Sequence, residues 1–143
     1  MSPLENLINL ARTGDLKPEP PDRRECEGLL QSARDRLQDA NNTALSFASR
    51  FDLAYNAAHA MALTALRLRG YRSERRYLVF QCLTHTLSLP ALQVRLLVLC
   101  HERRNLAEYE GYMDTDDALL AELLGIANDV LPEVERALNE ARL

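Results

Sequence analysis

Ser49-Arg50-Phe51-Asp52-Leu53-Ala54-Tyr55-Asn56-Ala57-Ala58-His59-Ala60-Met61-Ala62-Leu63-Thr64-Ala65-Leu66-Arg67-Leu68-Arg69-Gly70 is rich in alanine and apolar nearly all round from Phe51 to Leu68. A helix without a polar face belongs at the centre of a fold, and its alanines let neighbouring helices approach closely. Ser49 followed by Asp52 has capping-box spacing, and Gly70 suits the position just past a helix end. Asn56 and His59 interrupt the apolar surface. They read as buried polar groups that find partners locally.

Working outward, the neighbours also read as helices. Residues 3–12 form a short amphipathic helix through Leu4, Leu7, Ile8 and Ala11, ended by Gly14. Lys17-Pro18-Glu19-Pro20-Pro21 is a stiff extended link, because proline forbids helix and disfavours it in the residue before. A helix from about Asp22 to Ala44 carries Cys26, Leu29, Leu30, Ala33, Leu37, Ala40 and Ala44 on one stripe. Gly70 to Arg76 is a connecting loop with Arg72, Arg75 and Arg76. Its default state is solvated, and the sharper reading is phosphate contact. Tyr77 to Thr86 suits a short helix, and Ser88-Leu89-Pro90 starts the next, which runs to Gly111. Asp114, Asp116 and Asp117 suit the start of a last helix, with Leu120, Leu123, Leu124, Ala127, Leu131, Val134 and Leu138 inward and a kink at Pro132. The predicted fold is all-α: an antiparallel four-helix up-and-down bundle with a short N-terminal helix and an extra short helix. Residues 1–143 make one domain, with 1–21 as helix and proline-rich link and 22–143 as bundle.

Composition narrows the function. The chain has 143 residues, 47% of them apolar, so a core is attainable. A formal charge of −4 argues against a general nucleic-acid coat, though not against a small basic cleft. Three cysteines without C-x-x-C spacing read as reduced thiols, which with the lack of a visible signal peptide gives a cytoplasmic expectation. No run of eighteen apolar residues exists to span a membrane. Cys82, His85, Cys100 and His101 are poorly spaced for zinc, and adjacent Cys100 and His101 point about 100° apart on a helix, wrong for a nucleophile and its base. Glycine-rich phosphate loops and nucleophile elbows are absent, so no metal and no cofactor is expected.

Cys100-His101-Glu102-Arg103-Arg104-Asn105-Leu106-Ala107-Glu108-Tyr109-Glu110-Gly111 holds the chemistry. Leu92, Leu96 and Leu99 make one apolar row, and Gln93, Leu97 and Cys100 the row beside it. Three- and four-residue steps carry these rows onto Arg103 and Arg104, placing guanidinium groups where core-facing residues belong. Arg104 and Glu108 are four apart and can pair, as can Asn105 and Tyr109. Such a patch binds a phosphate or ribose, or it closes the bundle as a structural ion pair.

The central helix from Tyr55 to Tyr71 and the later Arg104-Asn105 with Glu108-Tyr109 resemble the HEPN superfamily, small helical bundles of prokaryotic toxin–antitoxin and nucleotidyltransferase-associated proteins. The resemblance covers roughly residues 25–140. It implies a metal-independent ribonuclease whose arginine steadies a phosphate while a histidine four to six residues later acts on the ribose 2′-hydroxyl, with two copies facing each other across a homodimer cleft. Here Tyr109 stands at the histidine's spacing, and no histidine follows His101. A phenol with a pKa near 10 is a poor base at neutral pH. The expectation is therefore an RNA- or nucleotide-associated module with a degenerate motif, partnered by a minimal nucleotidyltransferase or an antitoxin protein. Arg103, Arg104, Asn105 and Glu108 would bind, and Arg104, Asn105 and Tyr109 would carry any remaining catalysis. Tyr109 and Tyr112 are candidates for adenylylation. Two other readings stay open: an active ribonuclease with an altered base, and a structural homodimeric adaptor.

Overall fold

The computed structural model describes residues 2–143. Its helices are α1 (Pro3–Arg12), α2 (Arg23–Ala40), α3 (Phe47–Leu68), α4 (Arg76–Gln81), α5 (Leu83–Thr86), α6 (Ala91–Glu110) and α7 (Asp117–Glu140). A two-residue antiparallel pair, β1 (Lys17–Pro18) with β2 (Tyr71–Arg72), joins the proline-rich link to the end of α3. The chain is all-α apart from that pair. No helix of the described residues is long and apolar enough to cross a membrane.

α3 is the centre, packed against both α2 and α7, which also meet each other, and against α4, as its largely apolar surface requires. Ala54, Ala57, Ala58, Ala60, Ala62 and Ala65 are all buried. Cys26, Leu30, Ala33, Leu37 and Ala40 meet it from α2, and Leu120, Leu123, Ala127, Val130 and Val134 complete the core from α7. α6 is peripheral. It leans on α4 and the edge of α7, and it buries only Val94, Leu97 and Cys100.

Several boundaries move, each for a local reason. α2 stops at Ala40 rather than Ala44, because the side-chain Nδ2 of Asn41 donates back to Leu37 O at 2.9 Å and Asn42 Oδ1 takes the backbone N–H of Ala44 at 3.0 Å. Asparagine side chains here compete with the helical ladder. α3 then starts earlier. Ser46, not Ser49, is its cap, its hydroxyl accepting from the Ser49 amide at 3.2 Å. Asp52 is thereby freed from capping. Ser46→Ala should cost about 1 kcal/mol, read from urea unfolding, while Ser49→Ala should cost much less. The expected single helix over Tyr77–Thr86 is split into α4 and α5 at Cys82. The loop from Gly70 to Arg76 is not simply solvated: Arg72 pairs with Glu19 at 2.6 Å and with Glu25, and Arg75 pairs with Asp15 at 3.3 Å.

Candidate functional site

Where α3, α4 and α6 meet, polar and aromatic side chains from distant parts of the chain converge. Tyr55, buried on α3, is the hub. The Arg76 guanidinium, from the first turn of α4, sits 5.5 Å from the centre of its ring, and that of Arg104, from α6, sits 5.2 Å away. Both distances suit attraction of a cation to an aromatic face. Phe80 packs against Tyr55, His59 and His101, with ring centres 5.7, 5.8 and 6.4 Å apart.

His101 is held at both nitrogens. Its Nδ1 lies 2.7 Å from Tyr55 Oη, and Asn105 Nδ2 donates to its Nε2 across 3.1 Å. With Nε2 accepting, the neutral ring keeps its proton on Nδ1 and donates to the phenol. Desolvation, then the nearby Arg76 charge, hold the His101 pKa below its ordinary value. His59 is pushed down to about 4, chiefly by burial and next by Arg76. Both rings are therefore neutral at pH 7. Burial raises the Tyr55 pKa, against the opposing effect of Arg76, so the phenol keeps its proton.

The two arginines differ in their partners. Arg104 Nε donates to Asp52 Oδ1 at 2.9 Å, and its Nη1 pairs with Glu108 Oε1 at 2.8 Å. Desolvation works against its charge, but Asp52 and Glu108 outweigh it. Arg104 is a brace between α3 and α6. Arg76 instead donates to the neutral Asn56 Oδ1 at 2.9 Å and meets no carboxylate among the described residues. The other half-buried or buried arginines, Arg23, Arg34, Arg50, Arg67 and Arg72, are matched by carboxylates or backbone carbonyls. An open groove of about 530 Å³ adjoins Arg104, lined by Ser49, Phe51, Asp52, Glu108 and Tyr112 among others.

The residues expected from sequence divide accordingly. Arg104, Asn105 and Glu108 lie in or beside this cluster, and the Arg104–Glu108 pair forms. Asn105 turns back to His101 rather than forward to Tyr109, which stands 92% exposed. Arg103 faces outward and pairs with Asp116 at 3.5 Å, while Asp116 also caps α7 through the Leu119 amide. Sequence reading named Arg76 only as one of three loop arginines, and it missed Tyr55 as the hub. The signal was available: Asp52, Tyr55, Asn56 and His59 recur at three- and four-residue steps along one side of an otherwise apolar helix.

Among the described residues no group of three His, Cys, Asp or Glu side chains converges to hold a metal ion. Burial pushes the thiols of Cys82 and Cys100 up to about 11 and about 12, so neither is a nucleophile at neutral pH. No protein-family model, curated protein or solved structure matches this chain significantly.

Proposed function

We propose that the chain is a HEPN-like module, built as an antiparallel four-helix bundle, that binds RNA or a nucleotide through a phosphate at Arg76 and has lost strand cleavage. One observation carries this reading: Arg76 is a half-buried cation at a polar cluster with only neutral partners. Guanidinium suits a phosphate because its paired donors match two oxygens. Arg104, already neutralised by Asp52 and Glu108, positions Tyr55 and α6 more than it binds. Asn105 holds His101, and Asp52 and Glu108 line the neighbouring groove. The overall charge of −4 offers no general attraction for a polyanion, so binding depends on local cations such as Arg76.

Binding is favoured over cleavage because both nitrogens of His101 are occupied. No lone pair is left to take a 2′-hydroxyl proton unless Asn105 moves, and Tyr109 is too far into solvent and too weak a base to substitute. The resemblance adds a minimal nucleotidyltransferase or antitoxin as partner. Tyr109 and Tyr112, both exposed, are open to modification by the former.

The test is fluorescence anisotropy with a short single-stranded RNA in EDTA at low salt. Wild type should bind and leave the RNA intact. Arg76→Gln should weaken binding about tenfold or more and lower the salt slope by about 1. Failure of the wild type to bind, or unchanged affinity in Arg76→Gln, overturns the assignment. Metal-free cutting abolished by His101→Ala would instead support the active ribonuclease.

A further inference from the structure

α6 carries two apolar rows. The inner one, Val94, Leu97 and Cys100, is buried. The outer one is not: Leu92 is 74% exposed, Leu99 38% and Leu106 51%, with Leu96 half-buried between them. Leu92, Leu96, Leu99, Arg103 and Leu106 follow one another at steps of four, three, four and three, the spacing of a coiled-coil seam. A shallow groove of about 350 Å³ runs along this row, lined by Leu92, Arg95, Leu96, Val98, Leu99 and Glu102. A contiguous exposed apolar row rimmed by charge marks an interaction surface.

The rim charges identify what covers it. Arg95 and Glu102 flank the row on one edge, seven residues apart, and neither makes an ion pair among the described residues. We propose that a second copy of this chain packs antiparallel on the outer face of α6. Centred between Leu96 and Leu99, the pairing sets Leu96 of one copy against Leu99 of the other, and the reverse. It also sets Arg95 of each copy beside Glu102 of the other. A two-fold interface uses the same patch twice, so a patch holding one cation and one anion on opposite sides of its centre is complementary to itself. A parallel arrangement would set this edge of each helix against the opposite edge of its partner, where Arg95 and Glu102 would face Cys100 and Ala107 and find no opposite charge. The antiparallel register follows from those two residues. The seam lies one row away from Arg104, so the two clusters around His101 do not face each other across it, unlike the cleft that the family resemblance implies.

Sedimentation velocity on the full chain at micromolar concentration tests this. Wild type should be a dimer. Leu99→Asp should weaken it by roughly 30-fold or more, as for a residue at the centre of an interface, with unchanged far-ultraviolet circular dichroism. Arg95→Glu should also shift the protein to monomer, and Arg95→Glu combined with Glu102→Arg should restore the dimer. A monomeric wild type, a dimer indifferent to Leu99→Asp, or a double charge exchange that stays monomeric each overturns the proposal. RNA affinity is a separate readout, because Arg76 and Tyr55 lie outside this face.

Discussion

Arg67→Met should unfold far more readily than wild type, by about 3–5 kcal/mol in urea and with a Tm lower by roughly 10 °C. Arg67 is 1% exposed, the most deeply buried charge in the molecule. It sits in the last turn of α3, and each of its three nitrogens is engaged, with Nη2 also 3.5 Å from Glu19 Oε2. Nε pairs with Glu25 at 2.6 Å, Nη1 donates to the carbonyls of Glu19 at 3.0 Å and Tyr71 at 3.3 Å, and Nη2 donates to that of Pro20 at 2.8 Å. One side chain thus ties the proline-rich link, the start of α2 and the β2 turn to the central helix. Removing it leaves two carboxylates and three carbonyls short of partners, and an unmatched buried polar group costs more than the bond itself contributed. Arg72→Met touches the same carboxylates from a half-exposed position and should cost only about 1 kcal/mol. If Arg67→Met unfolds within 1 kcal/mol of wild type, the clamp is ornamental.

The same cluster gives a pH dependence with a definite sign. Hydrogen bonding from Arg72 lowers the Glu19 pKa, and hydrogen bonding from Arg67 lowers that of Glu25, both from an ordinary 4.5. Groups whose folded pKa is depressed stabilise the fold above their unfolded pKa. That stability drains as pH falls below about 4.5. His59 acts earlier. It is neutral in the fold with a pKa of about 4 against an ordinary 6.5, so the unfolded chain binds its proton first and stability already declines between those values. Unfolding measured from pH 7 to 4 should show this early decline, and His59→Phe should flatten it.

Tyr55→Ala should cost about 3–5 kcal/mol and abolish RNA binding together with stability. The ring fills the space between Phe80 and His101 and offers its faces to two guanidinium groups, so its loss opens a cavity and releases Arg76. Tyr55→Phe separates the two effects. It keeps the ring and both cation–ring contacts, removes the partner of His101 Nδ1 and the hydroxyl's hydrogen bonding to Arg76, and should cost about 1 kcal/mol with much less loss of affinity than Tyr55→Ala. If Tyr55→Phe proves as damaging as Tyr55→Ala, the hydroxyl is a ligand group rather than a support. In wild type, the imidazole resonances of His101 should titrate below the usual 6.5. A midpoint at or above that value would mean the ring is better solvated than its place beside Phe80 implies.

Much of the helical organisation was legible in the residues because it is periodic. A helix packs one stripe, and Cys26, Leu30, Ala33, Leu37 and Ala40 announce theirs whatever lies opposite. The alanines of α3 declared a central helix for the same reason, and Asp116 marked the start of α7 through a bond spanning three residues. Reading failed where a local preference had two outlets. Ser46 and Ser49 both suit a cap, and only the asparagine turn before them decides between the two.

The pairing of charges was a different matter. Arg67 is one residue in an apolar helix by sequence, yet its partners lie about forty to fifty positions earlier. Arg76 and His101 are twenty-five positions apart and come to the same tyrosine only because α4 and α6 both pack beside Tyr55. The sequence by itself determined the helices, the central place of α3 and the two apolar rows of α6, since these depend on spacing within one element. Tertiary structure alone decided which arginine is clamped, which braces and which lacks a carboxylate, because a charge is matched across space by groups that periodicity along the chain does not encode.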